Sequence, residues 1–246
     1  MPLNMLLWIV SAYLLSFLCY LPMLLVRMGA ALPEFLLGAR YFFILVPFLV
    51  SAVFLVKEHA LKTYWGRCFK RISAEEGFLC LTVVIIGALT AFGYSAQTGA
   101  GLFRETYSSV LAFAASCIYL FAAALLEEAA WRGFFFKRIA ADGKELGAAL
   151  LTGAIWGGWH IPMWTIRNSA GLAEVVLLFI WAVLISAVLG TVYGKFGNLI
   201  SAALLHMVFN VCWLAPVMCN DIILFMAVII YFVYRKTQKG NKEYTQ

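Results

Sequence analysis

Charge is what this chain has least of. Only 12% of its 246 residues are Asp, Glu, Lys or Arg while 64% are hydrophobic, whereas soluble domains average about a quarter charged and about half apolar. A water-soluble fold cannot cover that much apolar surface, so the soluble globular classes are excluded. Cysteine pairs are also missing. Cys19, Cys68, Cys80, Cys117, Cys212 and Cys219 are scattered with no C-x-x-C spacing, which argues against a disulfide framework and against a thiolate metal cluster. The chain has no internal repeat, no low-complexity tract and no Gly-rich phosphate loop. No polar block is long enough to fold separately, so a single transmembrane domain over residues 1–246 is expected. The net charge of +6 does not call for nucleic acid, because in a membrane chain the placement of basic residues matters more than their sum.

What the chain does have is long apolar runs. Eight can be drawn, approximately at 3–26, 38–56, 77–96, 107–131, 147–166, 172–194, 199–216 and 218–234. Each approaches the roughly 20 residues that a helix needs to cross about 30 Å of hydrocarbon. The expected fold is therefore all-α, a polytopic membrane helical bundle of about eight transmembrane helices. No Lys or Arg precedes Arg27 and the first run exceeds a signal-peptide core, so it is read as a span.

Charge alternation supports this drawing. Of the 18 Lys and Arg, all but Arg27, Arg40, Arg104 and Arg167 fall on the side shared by the termini and the second, fourth and sixth loops. The positive-inside rule then puts both termini in the cytoplasm. In the second loop, about 58–72, apolar residues including Leu61, Tyr64, Trp65 and Cys68 recur at helical spacing, with Lys62, Arg67, Lys70 and Arg71 mostly elsewhere on the wheel. That pattern predicts an interfacial helix on the anionic cytoplasmic leaflet, with membrane lipids as partners. Ser73-Ala74-Glu75-Glu76 then has the form of a capping box, which makes its acids helix-end charges. A short basic tail, 235–246, ends the chain.

Ionisable groups inside spans are costly and usually carry a role. The fourth span holds Glu127-Glu128-Ala129-Ala130-Trp131-Arg132. Four residues apart, Glu128 and Arg132 share a helix face and can pair, while Glu127 points about 100° away. The fifth span holds Trp156-Gly157-Gly158-Trp159-His160 and the seventh His206-Met207-Val208-Phe209-Asn210, so two of only three histidines lie within spans. At 1.5 Å per residue, Glu127 lies about 15 Å from Lys137, His206 about 16 Å from Lys195, and His160 about 20 Å from Gly147. All three distances run from cytoplasm-facing ends, so the polar groups share a level. Taken singly, each group has a bland reading: an interfacial helix end, an interhelical hydrogen bond, or a small-residue packing surface at Gly157-Gly158.

Together these residues suit water attack on an amide. No Ser or Cys stands beside an obvious base in these segments, which disfavours an acyl-enzyme. A buried carboxylate can take a proton from water, and imidazole or amide donors can stabilise an oxyanion.

The set E-E-x-x-x-R, then an aromatic four residues before a histidine, then H-x-x-x-N resembles the CAAX proteases and bacteriocin-processing enzymes, the CPBP or Abi group of intramembrane endopeptidases. Here it reads Glu127-Glu128 with Arg132, Trp156 with His160, and His206 with Asn210, across about a third of the chain. Trp156 stands where many members have Phe. The resemblance implies a peptide-bond hydrolase with Glu127 as general base and His160 positioning the water or a metal. His206 and Asn210 would stabilise the oxyanion, and Glu128 with Arg132 would fix the fourth helix. The chain's modest length is more like the prokaryotic members, so a bacterial plasma membrane is expected and a prenylated substrate is not the default. The cytoplasm-leaning site suggests a peptide or protein substrate that approaches from the cytoplasmic leaflet. Glu127, His160 and His206 are also candidate Zn²⁺ ligands, although no H-E-x-x-H is present. Two other classes use the same polar cluster differently: a non-enzymatic immunity or chaperone-like membrane protein, and a transporter. The pattern specifies no oligomeric state.

Overall fold

A computed structural model describes residues 2–98, 109–140 and 144–214. Its elements are α1 (Leu3–Arg27), a 3₁₀ segment (Glu34–Phe42), α2 (Leu45–Lys57), α3 (Leu61–Cys68), α4 (Ala74–Thr98) and α5 (Val110–Glu128). A first π segment (Ala129–Phe136), α6 (Lys137–Ile139), α7 (Glu145–Pro162), a second π segment (Met163–Arg167), α8 (Leu172–Phe196) and α9 (Leu199–Leu214) follow. The described residues contain no strand, and the all-α membrane class expected from composition holds.

Three helices are long and apolar enough to cross a membrane: Leu3–Arg27, the continuous Val110–Ile139 and Leu172–Phe196. The 3₁₀ segment and α2 make a fourth if counted as one span bent by 57°. The structure thus supports an integral membrane protein, with three or four such helices among the described residues; it does not confirm the expected count of eight. The expected span at 218–234 lies outside the described residues, as does the basic tail.

The bundle exposes apolar side chains outward and encloses a set of polar groups within a largely apolar interior. On α1, Met5, Trp8, Ala12, Ser16 and Tyr20 are buried at helical spacing, while Leu6, Leu7, Leu14 and Leu18 on the other side are exposed. Lipid tails satisfy such an exposed face. The interior instead collects Ser16, Ser51, Thr152, Ser186, Asn198, Ser201, three glutamates, Arg132 and His206. With no hydrophobic drive between helices in lipid, close packing and hydrogen bonds must hold them together. Trp8 donates from its indole to Ser51 at 3.0 Å and Trp159 to Ser16 at 2.7 Å, which ties α1 to α2 and to α7.

The tightest seam joins α7 and α8. Ala149, Gly153 and Gly157 on α7 face Ala182, Ser186 and Gly190 on α8, both sets at spacings of four, and the Ser186 hydroxyl donates to the Ala149 carbonyl at 2.9 Å. A Cβ at Gly153 would stand 2.6 Å from Ser186 Cβ and 2.9 Å from the Val183 Cα. The obstruction is backbone, so no rotamer change relieves it. Gly153→Val is expected to destabilise the protein by about 1–3 kcal/mol, read as a lowered thermal midpoint in detergent. Gly147→Ala, at a glycine with open space around it, is the matched control and should leave the midpoint near wild type.

The second loop forms α3 at Leu61–Cys68, with Tyr64 and Cys68 buried. Ser73 and Glu76 make both reciprocal bonds of a capping box: the Glu76 amide donates to Ser73 Oγ at 3.2 Å and the Ser73 amide to Glu76 Oε2 at 3.3 Å. Glu76 does more than cap. It is buried and also accepts from the Ser201 hydroxyl, which fixes the start of α9 against α4.

Candidate active site

Four elements deliver the polar groups. Glu127 and Glu128 end α5, Arg132 lies in the first π segment, Trp156 and His160 lie in α7, and His206 and Asn210 lie in α9. All eight residues of the first π segment, Ala129–Phe136, are buried. A π turn widens the coil and is frequently found at functional sites. Tyr64 of α3 braces it: the phenol donates to the Ala129 carbonyl at 2.6 Å, and the lack of a side chain at Gly133 makes room for its hydroxyl. Burial pushes the Tyr64 phenol well above its ordinary pKa, so it remains a neutral donor.

The two adjacent acids have separate duties. Glu128 Oε1 accepts from Arg132 Nη1 at 2.8 Å and from His206 Nδ1 at 2.8 Å, with Glu128 and Arg132 fully buried. Glu127 Oε2 accepts the Trp156 indole N–H at 2.9 Å and lies 3.9 Å from His160 Nε2. Its side chain keeps 7% exposure and that of His160 12%, so of the two acids only Glu127 is reachable from outside. Buried atoms without a hydrogen-bond partner among the described residues are Glu128 Oε2, Arg132 Nε and Nη2, and Trp131 Nε1.

Trp156 is the hub. Its ring meets His160 edge-on at 4.8 Å and His206 edge-on at 5.2 Å, and the Arg132 guanidinium stands 5.0 Å from its centroid. One indole thus borders Glu127, His160, His206 and Arg132. Further aromatics pin His160: Trp164 stacks on it at 5.4 Å, Trp159 meets it at 4.6 Å and Phe43 at 6.2 Å.

The tautomer of His160 follows from its partner. Nδ1 sits 2.9 Å from the Trp156 carbonyl oxygen, which has no proton to give, so Nδ1 carries the hydrogen. In the neutral ring Nε2 is then an acceptor aimed at Glu127. Two acceptors 3.9 Å apart are beyond direct hydrogen bonding, at a spacing where one water can touch both.

The structure brings together Glu127, His160 and Trp156 on one side and Glu128, Arg132 and His206 on the other, joined through the Trp156 ring. Asn210, one turn beyond His206 on α9, is half-buried and has no hydrogen-bonding partner among the described residues. Among those residues no group of three His, Cys, Asp or Glu side chains is arranged to hold a metal ion. His206 turns Nδ1 to Glu128 and His160 turns Nδ1 to the Trp156 carbonyl, which leaves the Nε2 atom of each ring outside these bonds. Sequence reasoning missed the indole bond to Glu127, the Tyr64 brace and the Ser201–Glu76 contact. Only the first had a signal, because a buried Trp usually needs a partner for its N–H.

Residues 108–212, which contain Glu127, Glu128, Arg132, Trp156, His160, His206 and Asn210, match the family model described as type II CAAX prenyl endopeptidase Rce1-like. The matched segment is similar to that family and makes up less than half of the chain. A curated relative, the CAAX prenyl protease 2 of Methanococcus maripaludis, is 25% identical over 135 residues, covering 51% of this chain and 50% of the relative. The chain thus spans about half the length of the curated relative it matches. The E-E-x-x-x-R, W-x-x-x-H and H-x-x-x-N motifs, from Glu127 to Asn210, all lie inside the matched segment.

Proposed function

We propose that this protein is an intramembrane endopeptidase that hydrolyses a peptide bond of a membrane-associated peptide or protein through a water activated by Glu127. The observation that carries the reading is the pair of acceptors, Glu127 Oε2 and His160 Nε2, 3.9 Å apart in a buried aromatic chamber. A water that donates one proton to each is oriented with its lone pair outward. As its oxygen attacks the carbonyl carbon, Glu127 takes a proton. The oxyanion is met by Asn210 and by His206, whose Nε2–H is available when the ring is protonated on both nitrogens. Glu127 then returns its proton to the leaving nitrogen as the C–N bond breaks, so the base becomes the acid. Glu128 and Arg132 do no proton transfer; they hold His206 and the π segment in place.

No step is routed through zinc, because no group of three His, Cys, Asp or Glu side chains among the described residues is arranged to hold a metal ion. The test is a purified preparation assayed on a membrane-inserted reporter peptide, before and after chelation with metal content measured. Hydrolysis is expected to persist after chelation, and activity that vanishes with the metal and returns with Zn²⁺ would replace this mechanism with a metal one. The relative's printed name points to prenylated substrates. Cleavage of the same peptide with and without a prenyl group decides whether that extends to this chain; the cytoplasmic leaflet is the expected side of approach.

Trp156→Phe tests the hub. Phenylalanine keeps an aromatic wall but cannot donate to Glu127, so the carboxylate loses its anchor rather than its chemistry. The expected result is a fall in kcat of about tenfold, the loss of one buried hydrogen bond to a charged group, with KM little changed.

A further inference from the structure

One end of the bundle gathers three arginines that make no ion pair among the described residues. Arg27 closes α1, Arg40 lies in the 3₁₀ segment and Arg167 closes the second π segment. Their neighbours are neutral groups. Arg27 donates through Nη1 to the Thr165 carbonyl at 3.0 Å and through Nη2 to the Ser169 hydroxyl at 2.7 Å. Arg40 Nη2 donates to the Tyr41 hydroxyl at 3.0 Å. Arg40 Nη1 also reaches Met23 Sδ on α1 at 4.0 Å, one turn before Arg27, and the two partners of Arg27, Thr165 and Ser169, flank Arg167 in sequence. The three arginines therefore gather where the end of α1 meets the 3₁₀ segment and the second π segment.

Like charges gathered without a counter-ion repel, and an oxyanion between them removes that repulsion. The planar fork of arginine suits phosphate oxygens in particular. The surroundings say where such an anion would come from. Phe35, Tyr41 and Phe42 are exposed beside Arg40, an aromatic girdle of the kind found at headgroup level. Leu18, Leu25 and Val26 continue the exposed apolar face of α1 up to Arg27.

We propose that Arg40 and Arg167, with Arg27 beside them, bind the phosphate of a phospholipid headgroup whose acyl chains lie along α1. The site is separate from the Glu127 chamber but shares a wall with it. Phe43, three residues after Arg40, meets Tyr20 edge-on at 5.0 Å and stacks on Trp159 at 3.9 Å, and Trp164 lies between His160 and Arg167 in sequence while stacking on the histidine. A lipid held here borders the aromatic cage around His160. The assignment does not depend on the protease reading, because it concerns binding alone.

The test is native mass spectrometry of the full chain in detergent, titrated with phosphatidylglycerol. The Arg40→Gln/Arg167→Gln protein should retain one lipid fewer than wild type at equal lipid, with affinity for that lipid weakened about tenfold or more, given roughly 1 kcal/mol per basic residue near an anionic surface. Arg67→Gln/Arg71→Gln, at the far end of α2 from this cluster, should leave that lipid bound. Millimolar inorganic phosphate should not displace it. Equal retention by the Arg40→Gln/Arg167→Gln protein overturns the proposal, and displacement by free phosphate alone overturns its lipid part in favour of a small-anion site. Should the double variant fail to insert, Arg40→Gln is read alone: weakened retention supports the site and unchanged retention defeats it. Arg40 suits this because its recorded hydrogen bonds reach only Tyr41 and Met23.

Discussion

Glu127→Gln is expected to leave a folded, inserted protein that no longer hydrolyses peptide, with kcat reduced by at least about a thousandfold, within the range assigned to a lost general base. The fold should survive because an amide oxygen can still accept the Trp156 indole N–H that Glu127 Oε2 accepts at 2.9 Å. What goes is the only reachable carboxylate of the pair. Glu128 cannot substitute: both of its recorded contacts are on Oε1, to Arg132 and His206, and it is fully buried. The measurement is turnover of the reporter peptide beside a thermal unfolding curve in the same detergent. Wild-type turnover in this variant would end the glutamate-activated water mechanism. Wild-type biological activity without any detectable cleavage would favour an immunity or chaperone-like role.

Arg132→Met should instead act on stability. It removes the guanidinium 2.8 Å from Glu128 and leaves a carboxylate with no exposure facing a hydrophobic side chain. Breaking a buried pair from one side costs about 3–5 kcal/mol, and for a chain of this size that lowers the thermal midpoint by about 10 °C. The double change Glu128→Gln/Arg132→Met separates charge from packing. It should recover most of the midpoint, because nothing charged is left unpaired, and stay poorly active, because His206 loses the carboxylate that holds its Nδ1. If the single change proves as stable as the double, the pair contributes little to holding the π segment.

The parts of this architecture that were legible in the sequence are those set by short-range geometry. The spacing of four between Glu128 and Arg132 was enough to expect their pairing and the different direction of Glu127, because helical repeat alone fixes it. Ser73 and Glu76 announced a helix start for the same reason. The eight apolar runs were a weaker guide. Composition distinguishes a buried helix from a spanning one poorly, and a bend such as the 57° break between the 3₁₀ segment and α2 leaves no clear trace in hydropathy. Contacts between distant segments were beyond reach. Tyr64 and Ala129 are 65 residues apart and Glu76 and Ser201 are 125 apart, and neither pair has a pattern that links its members. Trp156 lies between these cases: the spacing to His160 put both on one face, but only the tertiary fold revealed that its indole, rather than its ring alone, meets Glu127.

The seam between α7 and α8 carries a last consequence. Backbones that touch through Gly153, Gly157 and Gly190 cannot slide or part without losing the contacts that hold them, so these two helices move as one block. Under the proposed endopeptidase reading, the route of a polypeptide to Glu127 does not open between these two helices. The stiffness of one wall chooses the door.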